Sequence, residues 1–274
     1  MKNKSPSLFI FIALACEAKP LIQKYALKKL PQPHPFELYS NGEKVVIITG
    51  VGKVAMAGAV AYSLAVFQHP QNPVLMNLGI AGHQNKPLGS MYLADKIIDV
   101  ENRKKKFYPQ FVGEFSVPST NLKTLSKPQT EYNVDGLYDM EGVAFFEMAI
   151  KFSSSELIHC LKVISDNQHQ PADTINAKRV SVWINQQLAN IDIIVEQLMM
   201  LRGGITETQP RLYQTLIERY HFTITSQIKL KALLQRWDVL TDTAPLDIKH
   251  SKFSSAKQLL SWLEQQIENR LFLL

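Results

Sequence analysis

Three near-continuous apolar runs, set apart by stretches of helical spacing, constrain this chain most. They are residues 8–15, 73–78 and 157–164. A strand with one wet face alternates polar and apolar side chains, so a near-continuous run marks a strand covered on both faces. Helical spacing fills 17–29, 54–67, 141–152 and 177–201, the last as one long amphipathic helix. Two further strands, 37–40 and 44–49, flank Asn41-Gly42, a strong hairpin signal. Residues 89–100 and 137–140 also read as extended, and 101–134 as irregular and polar. Buried strands alternating with helices predict an α/β fold with helices on both faces of the sheet. Beyond Gly203-Gly204 only helical spacing appears, at 210–220, 226–237 and 255–274. The expected organisation is a domain over 1–204 and a helical extension over 205–274. Leu230, Leu233, Leu234 and Trp237 would line one helix face and pack on the first domain.

Charge narrows the partners. Thirty Lys and Arg against 24 Asp and Glu leave +6 over 274 residues, scattered along the chain. The densest basic run, Arg103-Lys104-Lys105-Lys106, reads as a solvated loop, so no nucleic-acid partner is expected. Lys2 and Lys4 ahead of the apolar run 8–15, with Cys16 following, resemble a lipoprotein leader. Eight apolar residues are short for that role and lead straight into helical spacing, which favours a first strand. No segment reaches the roughly 20 apolar residues of a membrane span. Cys16 and Cys160 cannot build a disulfide framework or a zinc site, and a reducing, cytoplasmic location is expected. No His, Asp or Glu spacing indicates a metal, and no cofactor is expected.

In doubly covered sheets, functional residues gather just beyond strand carboxyl ends. Glu17, Glu141 and Asp166 each stand there. Each alone could be a helix N-terminal charge. Three such acids, however, can divide the tasks of general acid, general base and cation stabiliser around one pocket. Gly50-Val51-Gly52-Lys53 fits neither a dinucleotide loop nor a P-loop. It and Gly79-Ile80-Ala81-Gly82 signal tight turns or close approach of the backbone. His159 falls in a predicted strand and reads as a satisfied core histidine, and His83 as a loop residue near the second glycine turn.

Five segments in order resemble the nucleoside phosphorylase/nucleosidase superfamily. They are Ala13-Leu14-Ala15-Cys16-Glu17-Ala18, Thr49-Gly50-Val51-Gly52-Lys53-Val54, Asn77-Leu78-Gly79-Ile80-Ala81-Gly82 with Pro87-Leu88-Gly89-Ser90, Asp139-Met140-Glu141-Gly142-Val143-Ala144-Phe145-Phe146, and Val163-Ile164-Ser165-Asp166. The flavour is that of methylthioadenosine/S-adenosylhomocysteine nucleosidase and futalosine hydrolase. The resemblance implies a three-layer α/β/α fold with a central mixed sheet, a small nucleoside substrate and a homodimer. It implies that Asp166 protonates the purine at N7 and that Ser165 positions its loop. Glu17 would hold the attacking water, Glu141 the ribose hydroxyls, and Met140 would pack on the sugar. Gly52 and Gly79 would bring backbone close to sugar and nucleophile. Ile80 and Lys162 depart from the family pattern, which often has Ser and Arg there, and no base-stacking aromatic can be assigned between Phe115 and Tyr138. The segments contain no Arg to hold a phosphate dianion, so hydrolysis is expected over phosphorolysis. A phosphorylase, or an inactive nucleoside- or partner-binding module, stands as the alternative.

Overall fold

A computed structural model describes residues 5–31, 33–68, 71–129, 131–132, 135–205, 210, 212–241, 246 and 253–271. The chain forms two compact units, Met1–Thr206 and Glu207–Leu274. Lys2 and Lys4 lie outside the described residues.

The larger unit carries strands β1 (Leu8–Ile12), β2 (Lys28–Lys29), β3 (Glu37–Ser40), β4 (Lys44–Ile48), β5 (Val74–Gly82), β6 (Met91–Asp99), β7 (Lys106–Phe107), β8 (Ser119–Thr124), β9 (Leu137–Asp139) and β10 (Ile158–Asp166). Its helices are α1 (Ala15–Lys24), α2 (Lys53–Val66), α3 (Gly142–Ala149), α4 (Ala177–Gln186) and α5 (Leu188–Ile205). Every residue of β1 is buried, as its apolar run requires. It lies parallel between β4 and β5, with Ile10 opposite Val46 on one side and Met76 on the other. Its side chains divide with the period of two that a pleated strand imposes. Phe9 and Phe11 join a core with Met56, Val60 and Leu64 of α2 and Phe145 of α3. Leu8, Ile10 and Ile12 join another with Leu21 of α1, Val180 and Ile184 of α4, and Ile191 and Ile194 of α5. The architecture is therefore three-layered, with a central sheet of mixed direction, as the apolar runs demand.

One feature of the sheet goes beyond what periodicity predicts. β5 pairs with β10, β10 with β6, β6 with β8, β8 with β9, and β9 returns to β5 at Gly82 and Tyr138. Five strands thus close into a ring, and the carboxyl ends of β5 and β10 meet the short antiparallel β9 on its rim. Two members of the ring zone, β7 and β8, come from the stretch expected to be irregular. The β8 sequence STNLKT is mostly polar, with only Leu122 and Thr124 fully buried, so its alternation is hard to see. The expected single helix over 177–201 is broken at Gln187, whose side chain donates to the Gly89 carbonyl at 2.7 Å. α5 then continues through Gly203 and Gly204 to Ile205.

His159 is buried in β10, with the tilted ring of Phe111 and the edge-on ring of Phe115 at ring-centroid distances of 5.5 and 5.4 Å. Its Nε2 meets the Glu156 carbonyl at 3.0 Å, but Nδ1 has no partner among the described residues. It is a core histidine only half satisfied, and burial pushes its pKa down to about 4.

The smaller unit holds α6 (Tyr213–Arg219), α7 (Ile224–Leu240) and α8 (Ala256–Leu271). Thr223 caps α7 by accepting from the Ser226 N–H at 3.3 Å. Leu230, Leu234 and Trp237 are buried against Leu216, Leu259, Leu263 and Ile267, with Leu233 half-buried beside them. The stripe expected to pack on the first domain thus fills a core belonging to its own unit. Among the described residues no helix is long and apolar enough to cross a membrane.

Candidate active site

The rim of the five-strand ring opens into a cavity of about 280 Å³. Glu17, Glu141 and Asp166 all line it, together with Met140, Ser165, Gly79 and Ile80. The structure thus brings together seven of the eight residues singled out in the sequence. Gly52 stands behind the wall, which Val51 forms at that point.

Glu17 occupies the third position of α1 and is 1% exposed. One carboxylate oxygen accepts from the Leu14 N–H at 2.8 Å, closing the first turn of its own helix. The other crosses to the sheet and accepts from the Ile80 N–H, also at 2.8 Å. Gly79 leaves room for this approach, since a Cβ there would lie a tight 3.1 Å from the Glu17 Oε1 atom. Burial raises the Glu17 pKa to about 7, against the two backbone donors and the nearby Lys162, which favour the charged form.

Glu141 is held by the N–H of Gly52, which donates to its Oε1 at 2.7 Å. Gly52 turns the chain with φ of +101°, a conformation open to glycine at little cost. Its contribution is therefore a grip on a carboxylate from across the sheet. Burial raises the Glu141 pKa, with Lys162 opposing and Asp139 reinforcing the shift.

Asp166 ends β10. Its Oδ1 accepts from Ser165 Oγ at 2.5 Å, and its Oδ2 from the Tyr132 hydroxyl at 2.6 Å. A Cβ on Gly82, the fourth residue of Gly-Ile-Ala-Gly, would lie 2.5 Å from that Oδ2, so a side chain there would displace the carboxylate from its present position. The two glycines of this segment make room for two different carboxylates, Glu17 and Asp166.

Sequence reasoning missed the buried support beneath these acids. Lys162, 1% exposed, lines the cavity and pairs with Asp139, its Nζ 2.9 Å from Oδ2. Burial disfavours the ammonium, but Asp139 and Glu141 outweigh it and raise its pKa. Asp139 also accepts from Thr124 Oγ1 at 2.7 Å and from the Gly142 N–H at 2.8 Å. Thr124 Oγ1 in turn accepts from the Val143 N–H at 3.0 Å. The first amides of α3 are thus occupied, and the turn that carries Met140 and Glu141 is pinned. Asn77, another wall residue, is buried and donates to the Phe11 carbonyl at 3.1 Å, while its Oδ1 has no partner among the described residues. Tyr138 is the one aromatic ring among the described lining residues. His83 is buried rather than loop-exposed. Its Nδ1 accepts from the N–H groups of Asn85 and Lys86 at 3.2 Å, and its Nε2 meets Asp135 at 3.1 Å.

A sheet closed on a rim of carboxylates defines the class: the chain has the nucleoside phosphorylase/nucleosidase fold. Among solved structures it is similar to the 5'-methylthioadenosine nucleosidase of Arabidopsis thaliana, at 17% identity and a TM-score of 0.57, covering 70% of this chain and 96% of that one. It is similar to the 5'-methylthioadenosine/S-adenosylhomocysteine nucleosidase of Helicobacter pylori, at 14% identity and a TM-score of 0.54, over 70% and 98% of the two chains. The futalosine hydrolase of the same bacterium gives 13% identity and a TM-score of 0.54 over the same shares. No protein-family model and no curated protein matches the sequence. At these identities the likeness is one of fold.

Proposed function

We propose that this protein hydrolyses the N-glycosidic bond of a purine nucleoside, of the 5'-modified adenosine type or a related one. The observation that carries this reading is the meeting of Glu17, Glu141 and Asp166, distant in sequence, around one cavity. Breaking the bond from C1' to the base builds positive charge on the ribose and negative charge on the base. Glu141, fixed by Gly52, hydrogen-bonds the ribose hydroxyls and stabilises the first charge. Met140 packs on the sugar beside it. Asp166 gives a proton to N7 of the departing purine and quenches the second. Glu17 takes a proton from the water that bonds to C1'. One turn leaves Glu17 protonated and Asp166 ionised, and exchange with solvent restores both.

The charge of the cavity supports water over phosphate as the nucleophile. Glu17, Glu141, Asp139 and Asp166 line it, and the buried cation Lys162 is already paired with Asp139. Among the described lining residues there is no guanidinium to grip a phosphate dianion, and the lysines there are Lys127 and the already paired Lys162. The fold shared with enzymes named as nucleosidases and futalosine hydrolase supports the reaction class. A homodimer and a cytoplasmic location belong to the same reading, the first from the resemblance and the second from the cysteine usage.

The test is a panel of methylthioadenosine, adenosylhomocysteine, adenosine, inosine and futalosine, with free base and sugar product measured with and without phosphate. Phosphate-independent release of base and a free sugar is the expected result. Strict phosphate dependence with a ribose 1-phosphate product overturns hydrolysis. The panel also yields a pH profile. A general base must be ionised to act, and Glu17 has its pKa raised by burial to about 7. With Asp166 still carrying the proton it must deliver over this range, the rate should fall as pH drops through about 7. A rate flat from pH 8 to about 5, near the ordinary glutamate range, removes Glu17 as the base.

A further inference from the structure

Asp166 has a partner that the reaction as described leaves unused. The Tyr132 hydroxyl donates to Oδ2 at 2.6 Å, and this tyrosine comes from the segment ahead of β9, outside the sheet. Ser165 takes the other oxygen. Burial first, and then the neighbouring Asp166 carboxylate, raises the Tyr132 pKa, so the phenol keeps its proton and acts as a donor.

We infer that Tyr132 is a positioning residue for glycosidic cleavage, supporting Asp166 as it hands its proton to the leaving base. The inference rests on the hydrolytic reading above. Before transfer the side chain of the general acid is neutral. As the N7–H bond forms and the O–H bond of the acid breaks, negative charge grows on the two carboxylate oxygens. A hydrogen bond to a charged oxygen is about twice as strong as one to a neutral oxygen. Donors already aimed at Oδ1 and Oδ2 therefore gain strength in the transition state over the ground state, and only such a gain accelerates the step. Ser165 supplies one donor from the adjacent residue, and Tyr132 supplies the other from 34 residues upstream. Gly82, by leaving room for Oδ2, lets the carboxyl reach the phenol without a clash.

Tyr132→Phe removes the hydroxyl and keeps the ring. With a nucleoside that the unaltered protein cleaves, kcat should fall by about 10- to 100-fold, the worth of a hydrogen bond to a charged group. KM should stay within about twofold, because the bond strengthens only as charge develops. Proton transfer should also limit the rate more strongly, so the solvent deuterium isotope effect on kcat should rise. Unchanged kcat, a loss confined to KM, or a lower kcat with an unaltered isotope effect each overturns the inference. So does a Phe variant that keeps full kcat while Tyr132→Ala loses it, since the ring alone would then matter. If the unaltered protein releases no base from any nucleoside of the panel, the hydrolytic reading itself fails. If it is active and the Phe variant matches it, only the role of Tyr132 does.

Discussion

Asp166→Asn should lower turnover by about 10²- to 10⁴-fold, the usual worth of general acid catalysis, while substrate affinity changes only a few-fold. The site is built so that this variant isolates the proton. Both carboxylate oxygens are met by hydroxyls, Ser165 Oγ at 2.5 Å and the Tyr132 phenol at 2.6 Å. A hydroxyl can donate or accept, so either can turn to receive the new amide N–H. The side chain keeps its volume, and the gap left by Gly82 still admits it. What the amide cannot do is give up a proton to N7 and become an anion stabilised by its two neighbours. Binding, which depends on the cavity wall and on Glu141, should persist and can be measured by calorimetry with an uncleaved nucleoside. Near-normal kcat in this variant would falsify the assignment of Asp166 as the acid. A total loss of binding would instead make Asp166 a ligand-holding residue.

How much of this was readable beforehand depends on whether a contact leaves a local trace. The β1 run LFIFI announces a doubly covered strand because burial on both faces removes polar side chains in sequence order. Asn41-Gly42 announces its hairpin because Gly42, with φ of +92°, must take a conformation that few residues accept. Gly79 and Gly82 were legible as points of close approach, but what approaches them was not. The intruders are Glu17 and Asp166, which reach the strand from other elements. Lys162 illustrates the opposite case. A lysine within IHCLKVISD reads as a polar interruption, and nothing nearby reveals that Asp139, on another strand, neutralises it. Tyr132 and Thr124 were invisible for the same reason: their value lies in one atom placed across the ring of strands. The closure of that ring is a property of pairing between distant strands, which a period of two or 3.6 cannot encode. The roles assigned to Glu17, Glu141 and Asp166 came from family resemblance, and the geometry adds the means by which each carboxylate is held.

Lys162→Met should destabilise the larger unit by about 3–5 kcal/mol, the loss typical of breaking a buried ion pair from one side. Methionine fills much the same space, so little of that loss can come from a cavity. It comes from Asp139, whose side chain is 0% exposed and would lose its cation, leaving the Thr124 hydroxyl and the Gly142 N–H as its partners among the described residues. Neutralising both members, Lys162→Met with Asp139→Asn, should recover much of the stability, because the desolvation of two charges then disappears with their attraction. Denaturant unfolding of the single and double variants measures this directly, and a single-variant loss below about 1 kcal/mol, the range of exposed pairs, would show that the pair holds nothing in place. The same substitution makes a separate demand on catalysis. Lys162 favours the charged form of Glu17, so without it the Glu17 pKa must rise further above its present value of about 7. In the double variant, where the fold is restored, the acid limb of the pH–rate profile should therefore move to higher pH. A limb that stays in place would separate the two functions, leaving Lys162 as a support of the β10–β9 junction and Glu17 as a base tuned by burial and its two backbone donors alone.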